Sequence, residues 1–463
     1  MKKSIQHPIP RRTLAAFAAP NFALAIMHMP VLYVIPTLYA MHTEVSLASI
    51  ATILLIGRLF DALTDPLIGF FSDRTKSRLG KRKPWMISGT PTAMLAIIFL
   101  FSPPSTAGEL YFLVWSILLF ASWTLIDIPY LAWSSELSHD YDERSRIMTW
   151  REIFGNCGSI LFMAAPLFLL PWTGTTEIGL EVMTIAAWMA ATTLPVLLYF
   201  AVKHAPEGKE VSIRPVELKD FWMSLRTNKP LYRCVAGTLM GAIGSGMWGA
   251  TFLIFLSAYM GIADKFIFIL LAAWITRLFV APLCLKLIYR YGKHKVWAVG
   301  MFCSALIIPT ILLIPIGTIT FPFMLLYAVI LGGTETALIV APRTIFGDII
   351  DYDTLKTGSN KASSFFALYG LLVKVAAGLG AAIGFYLLSA FGFNAKGVND
   401  QSQLTGLVLA FAIVPPMFYA FCGLIVWNFP LNARRQGIIK RRLESRADRM
   451  TAANNLDAFC EIL

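Results

Sequence analysis

The chain has 463 residues, of which 57% are hydrophobic and only 14% are charged. Soluble domains carry about 25% charged residues, so this composition excludes a soluble globular protein and indicates one that lies in a membrane. The formal net charge of +12 does not indicate nucleic-acid binding, because the basic residues cluster in short segments between apolar runs, as membrane topology requires.

Twelve apolar runs, each long enough to cross a bilayer as a helix, follow one another along the chain, and we number them spans 1 to 12. Spans 1 to 6 lie at about 14–40, 46–71, 85–103, 109–133, 152–171 and 179–202. Spans 7 to 12 lie at about 231–260, 266–289, 296–316, 321–346, 363–391 and 404–429. The pattern predicts an all-α polytopic membrane protein of 12 transmembrane helices in two six-helix bundles, 1–202 and 231–429. A polar linker at 203–230 joins the bundles, and a basic tail occupies 430–463.

The loops predict the orientation of the spans. Basic residues concentrate in the N-terminal arm, the 71–85 loop, the linker, the 290–295 loop and the tail. The alternate loops carry almost none beyond Lys265 and Lys396. Because short cytoplasmic loops are rich in Lys and Arg, we expect both termini to be cytoplasmic. The tail is expected to lie against the anionic leaflet.

Two carboxylates stand inside span 2. Asp61 and Asp65 are four residues apart, so a helix places them on one face. A charged group in hydrocarbon costs at least about 2.5–3.5 kcal/mol on insertion scales, and such residues usually face a working cavity. Two carboxylates that share a low-dielectric site require a cation such as Na+, a shared proton or a basic partner. A structural salt bridge to Arg58, or to a base on another helix, is the alternative.

Further charges follow in later spans. Thr124 and Asp127 are three residues apart in span 4, so Asp127 can join the cation site, accept from a polar substrate or make a structural hydrogen bond. Lys374 in span 11 needs a partner, and the carboxylates of spans 2 and 4 are the candidates. For Arg151, at the start of span 5, an interfacial position and substrate contact are equally open.

Span 10 carries Glu335 and Arg343. Glu335 is either a second proton or substrate site or the partner of Arg277 in span 8. Arg343 and Lys374 together would favour an anionic group in the cavity. His28 in span 1 is expected to be a core histidine satisfied by its neighbours.

An internal repeat relates the two bundles. Arg58-Leu-Phe60 in span 2 recurs as Arg277-Leu-Phe279 in span 8, and Gly80-Lys-Arg-Lys-Pro-Trp85 recurs as Gly292-Lys-His-Lys-Val-Trp297. Parallel repeats of six helices are the plan of the major facilitator carriers, so this fold is expected. The second copy has Val280 at the position of Asp61, which predicts one cation site per molecule, in the N-terminal half.

These residues give the chain a resemblance, over most of its length, to the glycoside–pentoside–hexuronide:cation symporter family (melibiose-permease-like) of the major facilitator superfamily. The motifs occur in the family's order: Arg58…Asp61-x-x-x-Asp65-Pro66, Asp73-Arg74-Thr75…Gly80-Lys-Arg-Lys-Pro84, Asp127-Ile-Pro129-Tyr130, Gly347-Asp348-Ile-Ile-Asp351-Tyr352 and Lys374. The resemblance implies that Asp61, Asp65 and Thr124 bind the coupling cation. It also implies that Asp127, Arg151 and Lys374 border the sugar or link it to the cation. The loop after span 2 is similar to a superfamily signature, which implies a gating role for Asp73 and Arg74, whose charges would hold the halves together on the cytoplasmic side.

The chain departs from the family pattern around the sugar. Asn21 stands in place of an aspartate, Leu131 in place of a tryptophan, Tyr369-Gly370 in place of a polar pair, and Thr64 in place of an asparagine beside the second cation carboxylate. Animal sodium-coupled lysolipid carriers are also similar and keep the same carboxylates and lysine. The resemblance therefore leaves two substrate classes.

We expect a secondary symporter coupled to Na+ or H+ that carries a sugar, glycoside or uronide by alternating access. The alternative is a carrier of lysophospholipid or another amphipathic anion. Candidate cation-binding residues are Asp61, Asp65, Thr124, Asp127 and Thr64, and candidate substrate-binding residues are Asn21, Asp127, Arg151, Lys374, Tyr369 and Arg343.

The remaining expectations concern partners and location. No nucleophile–base pair, phosphate loop or metal motif is visible, and six scattered cysteines indicate neither disulfides nor zinc, so we expect no enzyme and no cofactor. A receptor that binds its ligand without transporting it is a further alternative. The family and the short loops indicate a monomer surrounded by lipid in a bacterial inner membrane, without a nucleic-acid partner.

Overall fold

The computed structural model describes residues 9–137, 141–174, 176–207, 228–317, 319–357, 362–397, 399–431, 435–439, 441–442 and 445. Most of the predicted linker and most of the basic tail lie outside these residues. Within the described ranges all regular elements are helices, and twelve helical segments are long and apolar enough to cross a membrane, as predicted.

The helices of spans 1 to 6 are Arg11–Ala18, Pro20–Tyr33 and Ile35–His42 (together span 1), Leu47–Arg74, Lys83–Phe101, Glu109–Glu136, Tyr141–Thr173 and Leu180–His204. Span 7 is Lys229–Ile254 with a π-helical turn at Phe255–Tyr259, and span 8 is Phe266–Tyr291. Span 9 is Lys293–Ile307 with a 3-10 turn at Ile308–Leu313. Span 10 is Thr320–Thr357, span 11 is Ala362–Ala390, and span 12 is Gln401–Val408, Leu409–Ile413 and Val414–Trp427.

Prolines break span 1 into its three short helices. The breaks fall at Ala19 and Val34, and each is followed within two residues by a proline, Pro20 or Pro36. A proline lacks the backbone N–H and fits the first turn of a helix, so it ends one segment and begins the next. The bends separate the helix that carries Asn21 and His28, Pro20–Tyr33, from the helices before and after it.

Two helices extend beyond their predicted bounds. Span 5 begins at Tyr141 rather than near 152, and span 10 ends at Thr357 rather than near 346. In both helices the extension carries charged residues, such as Arg146 and Asp348, which end the apolar run without ending the helix. Hydropathy indicates where an apolar run ends, whereas backbone hydrogen bonds determine where the helix ends, and the two ends need not coincide.

The C-terminal bundle contains a very close helix contact. A side chain at Gly246 of span 7 would meet the backbone carbonyl of Ala377, and one at Gly380 of span 11 would meet that of Ile243. Small residues let transmembrane helices approach to backbone contact, where packing replaces the absent hydrophobic driving force. Spans 7 and 11 are thereby held as one unit.

The two bundles meet along spans 2 and 11, 1 and 7, and 5 and 8. Hydrogen bonds that cross between them include Thr52 with Tyr386 at 2.7 Å, Thr176 to the carbonyl of Asp264 at 2.6 Å, and Lys374 to Asp65 at 2.9 Å. The first two lie at the ends of the spans remote from the basic loops, and the third lies inside the spans. The face of span 2 that carries both carboxylates is therefore turned toward the C-terminal bundle.

Candidate functional site

The span 2 helix presents its two carboxylates to the protein interior. Asp61 is 3% exposed and the Asp65 side chain is 12% exposed. Ser46 caps the helix by accepting a hydrogen bond from the Ser49 N–H at 3.1 Å. Pro66 follows Asp65 directly and removes one backbone donor, which frees the carbonyl of Ala62 from its helical bond.

Asp65 connects three spans. Its Oδ1 accepts a hydrogen bond from the Thr124 hydroxyl of span 4 at 2.9 Å, and its Oδ2 accepts one from the Lys374 ammonium of span 11 at 2.9 Å. The candidate pairing of Lys374 with a span 2 carboxylate is thus observed. Because Lys374 belongs to the other bundle, the Lys374–Asp65 ion pair joins the two bundles by charge.

Asp61 is only half satisfied. Its Oδ2 lies 3.5 Å from Nη1 of Arg58, one turn earlier in the same helix. Its Oδ1 is buried and has no hydrogen-bond partner among the described residues. Both carboxylates therefore have a basic neighbour, as the salt-bridge alternative requires, but a buried anionic oxygen without a donor still calls for a cation or a proton.

Asp61 lies in a narrow cleft, which we call the span 2 cleft; its walls are Met27, His28, Val31, Arg58, Asp61, Leu119, Phe120, Trp123 and Lys374. His28 lies in this wall and stacks on Trp123 with ring centroids 5.1 Å apart. His28 is half-buried and packs on its aromatic neighbour, so the expected structural role stays a prediction. The Arg58 guanidinium lies over the Phe120 ring, 5.3 Å from its centroid, so an aromatic face partly replaces the water lost on burial.

A second ion pair lies between spans 4 and 5. Arg151 donates to Asp127, and its guanidinium lies 4.5 Å from the centroid of Tyr130. Asn21 donates to the backbone carbonyl of Arg151 at 2.8 Å, which ties span 1 to the same place. Arg151 is buried, ten positions after the helix begins at Tyr141, and its role in substrate contact stays a prediction.

Three predicted residues make their contacts away from the carboxylate pair. Thr64 donates its hydroxyl to the Phe60 carbonyl of its own helix at 2.9 Å. Tyr369 packs against Phe346 with centroids 4.8 Å apart. Arg343 is exposed and lies within electrostatic range of the Tyr369 phenol. These last two form a separate group between spans 10 and 11.

Glu335 forms the ion pair that the sequence allowed as its alternative. Arg277 of span 8 donates to its Oε2, and the Tyr419 hydroxyl donates to its Oε1 at 3.2 Å. This group lies within the C-terminal bundle. It is separate from the pairs of spans 2, 4, 5 and 11.

The predicted gating residues lie in a cluster within the N-terminal half. Asp73 accepts from Arg82, which also donates to Glu136 at 2.6 Å and to the Ser72 hydroxyl at 2.7 Å. Although burial alone lowers the pKa of Arg82, the hydrogen bonds and charges of Glu136 and Asp73 raise it above its ordinary value. The Arg74 guanidinium lies over the Phe70 ring, 3.4 Å from its centroid. The observed contacts of Asp73 and Arg74 thus lie in one half, where the sequence predicted contacts between halves.

Sequence reasoning missed several residues of these clusters. Arg82 stands in a basic loop, where its charge indicates only topology, and Glu136 stands at the end of an apolar run, where a charged residue is ordinary. Phe120 and Trp123 gave no signal, since aromatic residues in an apolar span are ordinary. Of these residues, Glu136 alone could have been identified from the sequence, because it is a carboxylate at the end of span 4, where it can pair with a basic loop.

The donor set of the carboxylate pair is composed of oxygen atoms. In the ranges that the structure describes, no group of three or more His, Cys, Asp or Glu residues could hold a metal ion. The carboxylates of Asp61 and Asp65 and the Thr124 hydroxyl instead offer hard oxygen ligands, of which only the two carboxylates are charged. Such a set suits a monovalent cation or a proton better than a transition metal.

Comparisons with known proteins agree with this architecture. A family model described as MFS/sugar transport protein matches residues 16–433, which is most of the chain. Among solved structures, the nucleoside transporter NupG superimposes with a TM-score of 0.64 at 15% identity, covering 90% of this chain and 98% of that one. A bacterial homologue of the lysosomal transporter Spinster, in an inward-facing and unoccupied conformation, gives 0.64 at 15% identity over 91% of this chain and 98% of that one. At these identities the structures establish the shared fold.

Three sequence relatives are similar over most of their length. The sodium-dependent lysophosphatidylcholine symporter 1 of Xenopus tropicalis is 23% identical over 435 residues, 85% of this chain and 82% of the relative. The putative glycoside/cation symporter YagG of Escherichia coli (strain K12) is 24% identical over 401 residues, 85% and 86% of the two chains. The uncharacterized symporter YnaJ of Bacillus subtilis (strain 168) is 24% identical over 452 residues, 93% and 94% of the two chains. Relatives with different named substrates are thus equally similar.

Proposed function

Because the chain belongs to the MFS/sugar transport protein family, we propose that it is a cation-coupled symporter that carries a sugar, glycoside or uronide across the membrane. Glycoside/cation symport appears in the name of one relative, and symport appears in the names of the others. The observation that carries the proposal is the contact of Asp65 with Thr124 and Lys374, beside the unpartnered oxygen of Asp61.

The cation, Na+ or H+, binds between Asp61 and Asp65, with the Thr124 hydroxyl as a further ligand. A cation at this place competes with Lys374 for Asp65, because both are positive charges seeking the same carboxylate oxygens. The released ammonium is then free to donate to a substrate oxygen in the cleft. Cation binding thereby raises the affinity for substrate, and by linkage the substrate raises the affinity for the cation to the same degree.

The substrate lies between the bundles, near Lys374 on one side and the Asp127–Arg151 pair on the other. An ion pair offers both donors and acceptors at fixed positions, which suits sugar hydroxyls better than an acyl chain. Asn21 positions Arg151 by donating a hydrogen bond to the backbone carbonyl of Arg151. The two bundles then rock around the filled site, which is the usual plan for transporters built from parallel repeats.

A carrier of lysophospholipid is the second candidate, for one specific reason besides its relatives. Arg343 is exposed, and so is Leu131, which is 41% accessible. A cationic side chain and an apolar surface are what an amphipathic anion would contact. The same cation site would serve this substrate.

The deciding experiment is the thermal unfolding of the purified protein with sugars, uronides and lysolipids, each with and without Na+ and at two pH values. A ligand at 100 times its dissociation constant stabilises the folded state by about 2.7 kcal/mol. A sugar that stabilises more strongly with Na+ supports the proposal. Stabilisation by lysolipid alone selects the second candidate, and a pH effect without a Na+ effect identifies the proton as the cation.

A further inference from the structure

A second, small cavity lies at the side of the C-terminal bundle, and we call it the span 8 cavity. Spans 7, 8 and 10 form most of its wall, and Tyr33 of span 1 closes it from the other bundle. The cavity has room for about one or two water molecules. Its size therefore restricts the occupant to a very small ligand.

Two buried N–H groups in this wall lack a hydrogen-bond acceptor among the described residues. They are Nε of Arg277 and Nε1 of Trp274. The two side chains are neighbours, with the guanidinium carbon 5.9 Å from the Trp274 ring centroid. Glu335 also lines the cavity, and its oxygens accept from Arg277 and from Tyr419. Since a carboxylate oxygen has two lone pairs, each of them can accept a further hydrogen bond.

The charges of the wall select a neutral occupant. An anion gains little, because Glu335 already neutralises Arg277. A cation would face the two N–H donors. A water molecule can accept from both donors and donate to Glu335, which gives it about three polar partners, the usual number for a buried water.

The span 8 cavity lies at the same depth in its half as the span 2 cleft lies in the other. Arg58 stands 11 residues after its helix begins at Leu47, and Arg277 stands 11 residues after its helix begins at Phe266. At 1.5 Å per residue, each arginine lies about 16 Å from that helix end. These arginines occupy matching positions of the internal repeat.

The walls of the two sites also match. Spans 1, 2 and 4 line the span 2 cleft, and spans 7, 8 and 10, their counterparts in the repeat, line the span 8 cavity. Each site is completed by one residue of the other half, Lys374 in the first and Tyr33 in the second. The span 8 cavity is therefore the repeat counterpart of the span 2 cleft.

The two sites differ in their carboxylates. Asp61 lies one turn after Arg58 and keeps an oxygen without a donor among the described residues, whereas the second copy has Val280 in that place. Arg277 instead pairs with Glu335 of another span, and both Glu335 oxygens have donors. The first site thus calls for a positive charge, and the second calls for an acceptor.

We propose that the span 8 cavity is a water site, in which ordered water accepts from Arg277 and Trp274 and donates to Glu335. Water occupies the place in the second half that the coupling cation occupies in the first. The comparison with the cation site rests on the proposed function, whereas the water site itself does not depend on the substrate.

The test is nuclear magnetic resonance of the full chain in detergent micelles, with the tryptophan indoles labelled with 15N. Each N–H signal is assigned from the variant in which that tryptophan is replaced by phenylalanine. The Trp274 N–H should show an Overhauser cross-peak with water. Trp172, which is 80% exposed, is the positive control. Trp297 is the negative control, because its buried Nε1 also lacks an acceptor among the described residues but lies outside both sites.

A cavity-filling variant tests the position of the water. Ala328 lines the span 8 cavity and is buried, so Ala328→Val should displace the water and remove the Trp274 cross-peak. Ala250→Val makes the same change at a buried position outside the cavity, and the cross-peak should remain. A wild-type Trp274 signal without a water cross-peak, beside a Trp172 signal that has one, would overturn the water site. So would a cross-peak that persists in folded Ala328→Val.

The coupling cation separates this inference from the proposed function. The Trp274 water cross-peak should persist at saturating Na+, and its loss would place a cation in the span 8 cavity and overturn the inference. Trp123 lies in the span 2 cleft, so its signal should shift with Na+, or with pH if H+ is the cation. If Trp123 responds to neither, and no ligand stabilises the protein in a cation-dependent way, the proposed function fails while the water site stands.

Discussion

Asp65 has two oxygens, and each already has a donor. Thr124 holds one and Lys374 holds the other, while the neighbouring Asp61 keeps one oxygen free of donors within the described residues. A cation that enters the pair therefore gains the free oxygen at once and competes for the others. Substituting a residue that contacts the carboxylate pair should change the affinity of the protein for the cation. Substituting a residue whose hydrogen bonds lie elsewhere should not.

The threonines beside the pair test this distinction. Thr124→Val removes the hydroxyl that contacts Asp65, and it should weaken cation affinity about fivefold, or about 1 kcal/mol. Thr64→Val makes the same chemical change where the hydroxyl is bonded to the Phe60 carbonyl, and affinity should change less than twofold. Isothermal titration with Na+, or a pH titration if H+ is the cation, measures both. Equal loss in the two variants would place Thr64 among the ligands.

The carboxylates themselves should be indispensable for coupling. Asp61→Cys and Asp65→Cys should each abolish cation-driven accumulation of substrate in vesicles, because each variant removes a carboxylate ligand and leaves its basic partner, Arg58 or Lys374, to repel the cation. Asp264→Cys is the control, since Asp264 lies in the loop after span 7. It should accumulate substrate as the wild type does. Undiminished accumulation by both span 2 variants would remove the cation site from these residues.

The position of Arg58 depends on a glycine in another element. A side chain at Gly378 of span 11 would overlap the Arg58 side chain, whereas one at Gly370 of the same span would meet nothing within 4 Å. Gly378→Ala should displace Arg58 from Asp61 and shift cation affinity at least threefold, and it should also lower the melting temperature, because the overlapped atoms lie close to the Arg58 backbone. Gly370→Ala should change neither property in binding and melting measurements.

Gly380→Ala should lower the stability of the protein rather than act on Arg58. Its added methyl would meet the Ile243 backbone carbonyl, which cannot rotate aside. Overpacking of this kind costs about 1–3 kcal/mol, so the melting temperature should fall clearly. A melting temperature equal to that of the wild type would contradict the close contact of spans 7 and 11.

The spans were predictable because hydrophobic length is set by the bilayer, whereas their ends were not. Span 10 extends past Asp348, whose two oxygens each accept from Lys293 at 2.6 Å, a contact between residues 55 positions apart. Asp61, Asp65 and Lys374 were visible because a charge in an apolar run is costly without a role. Thr64 shows the limit: whether a polar atom points at a partner or at its own helix depends on packing that no local sequence pattern records.

On the scale of the whole molecule, the halves are joined at the ends remote from the basic loops. The Thr52–Tyr386 hydrogen bond joins spans 2 and 11 there. Tyr386→Phe removes this hydrogen bond. The population that is open at these span ends, in which the span 2 cleft is accessible, should rise about fivefold, the effect of about 1 kcal/mol on the equilibrium between open and closed forms. The rate of thiol labelling at Val31→Cys, in the span 2 cleft, reports this exposure.

Tyr111→Phe is the control for this variant. The Tyr111 hydroxyl donates to the Phe99 carbonyl at 2.8 Å within the N-terminal half, so its loss should leave the labelling rate unchanged. Equal acceleration by both variants would indicate general loosening rather than opening between the halves.

The ion pairs also determine how the carrier responds to voltage. Each of three carboxylates faces one base, in the pairs Arg58–Asp61, Lys374–Asp65 and Arg151–Asp127. The empty site is therefore electrically neutral, and a monovalent cation carried with a neutral sugar adds one elementary charge. The loaded step then gains about 2.3 kcal/mol per 100 mV of membrane potential, while the return of the empty carrier gains nothing. A uronide carried with one cation cancels that charge, so rapid addition of neutral glycoside to proteoliposomes should produce a current, and addition of uronide should be electrically silent.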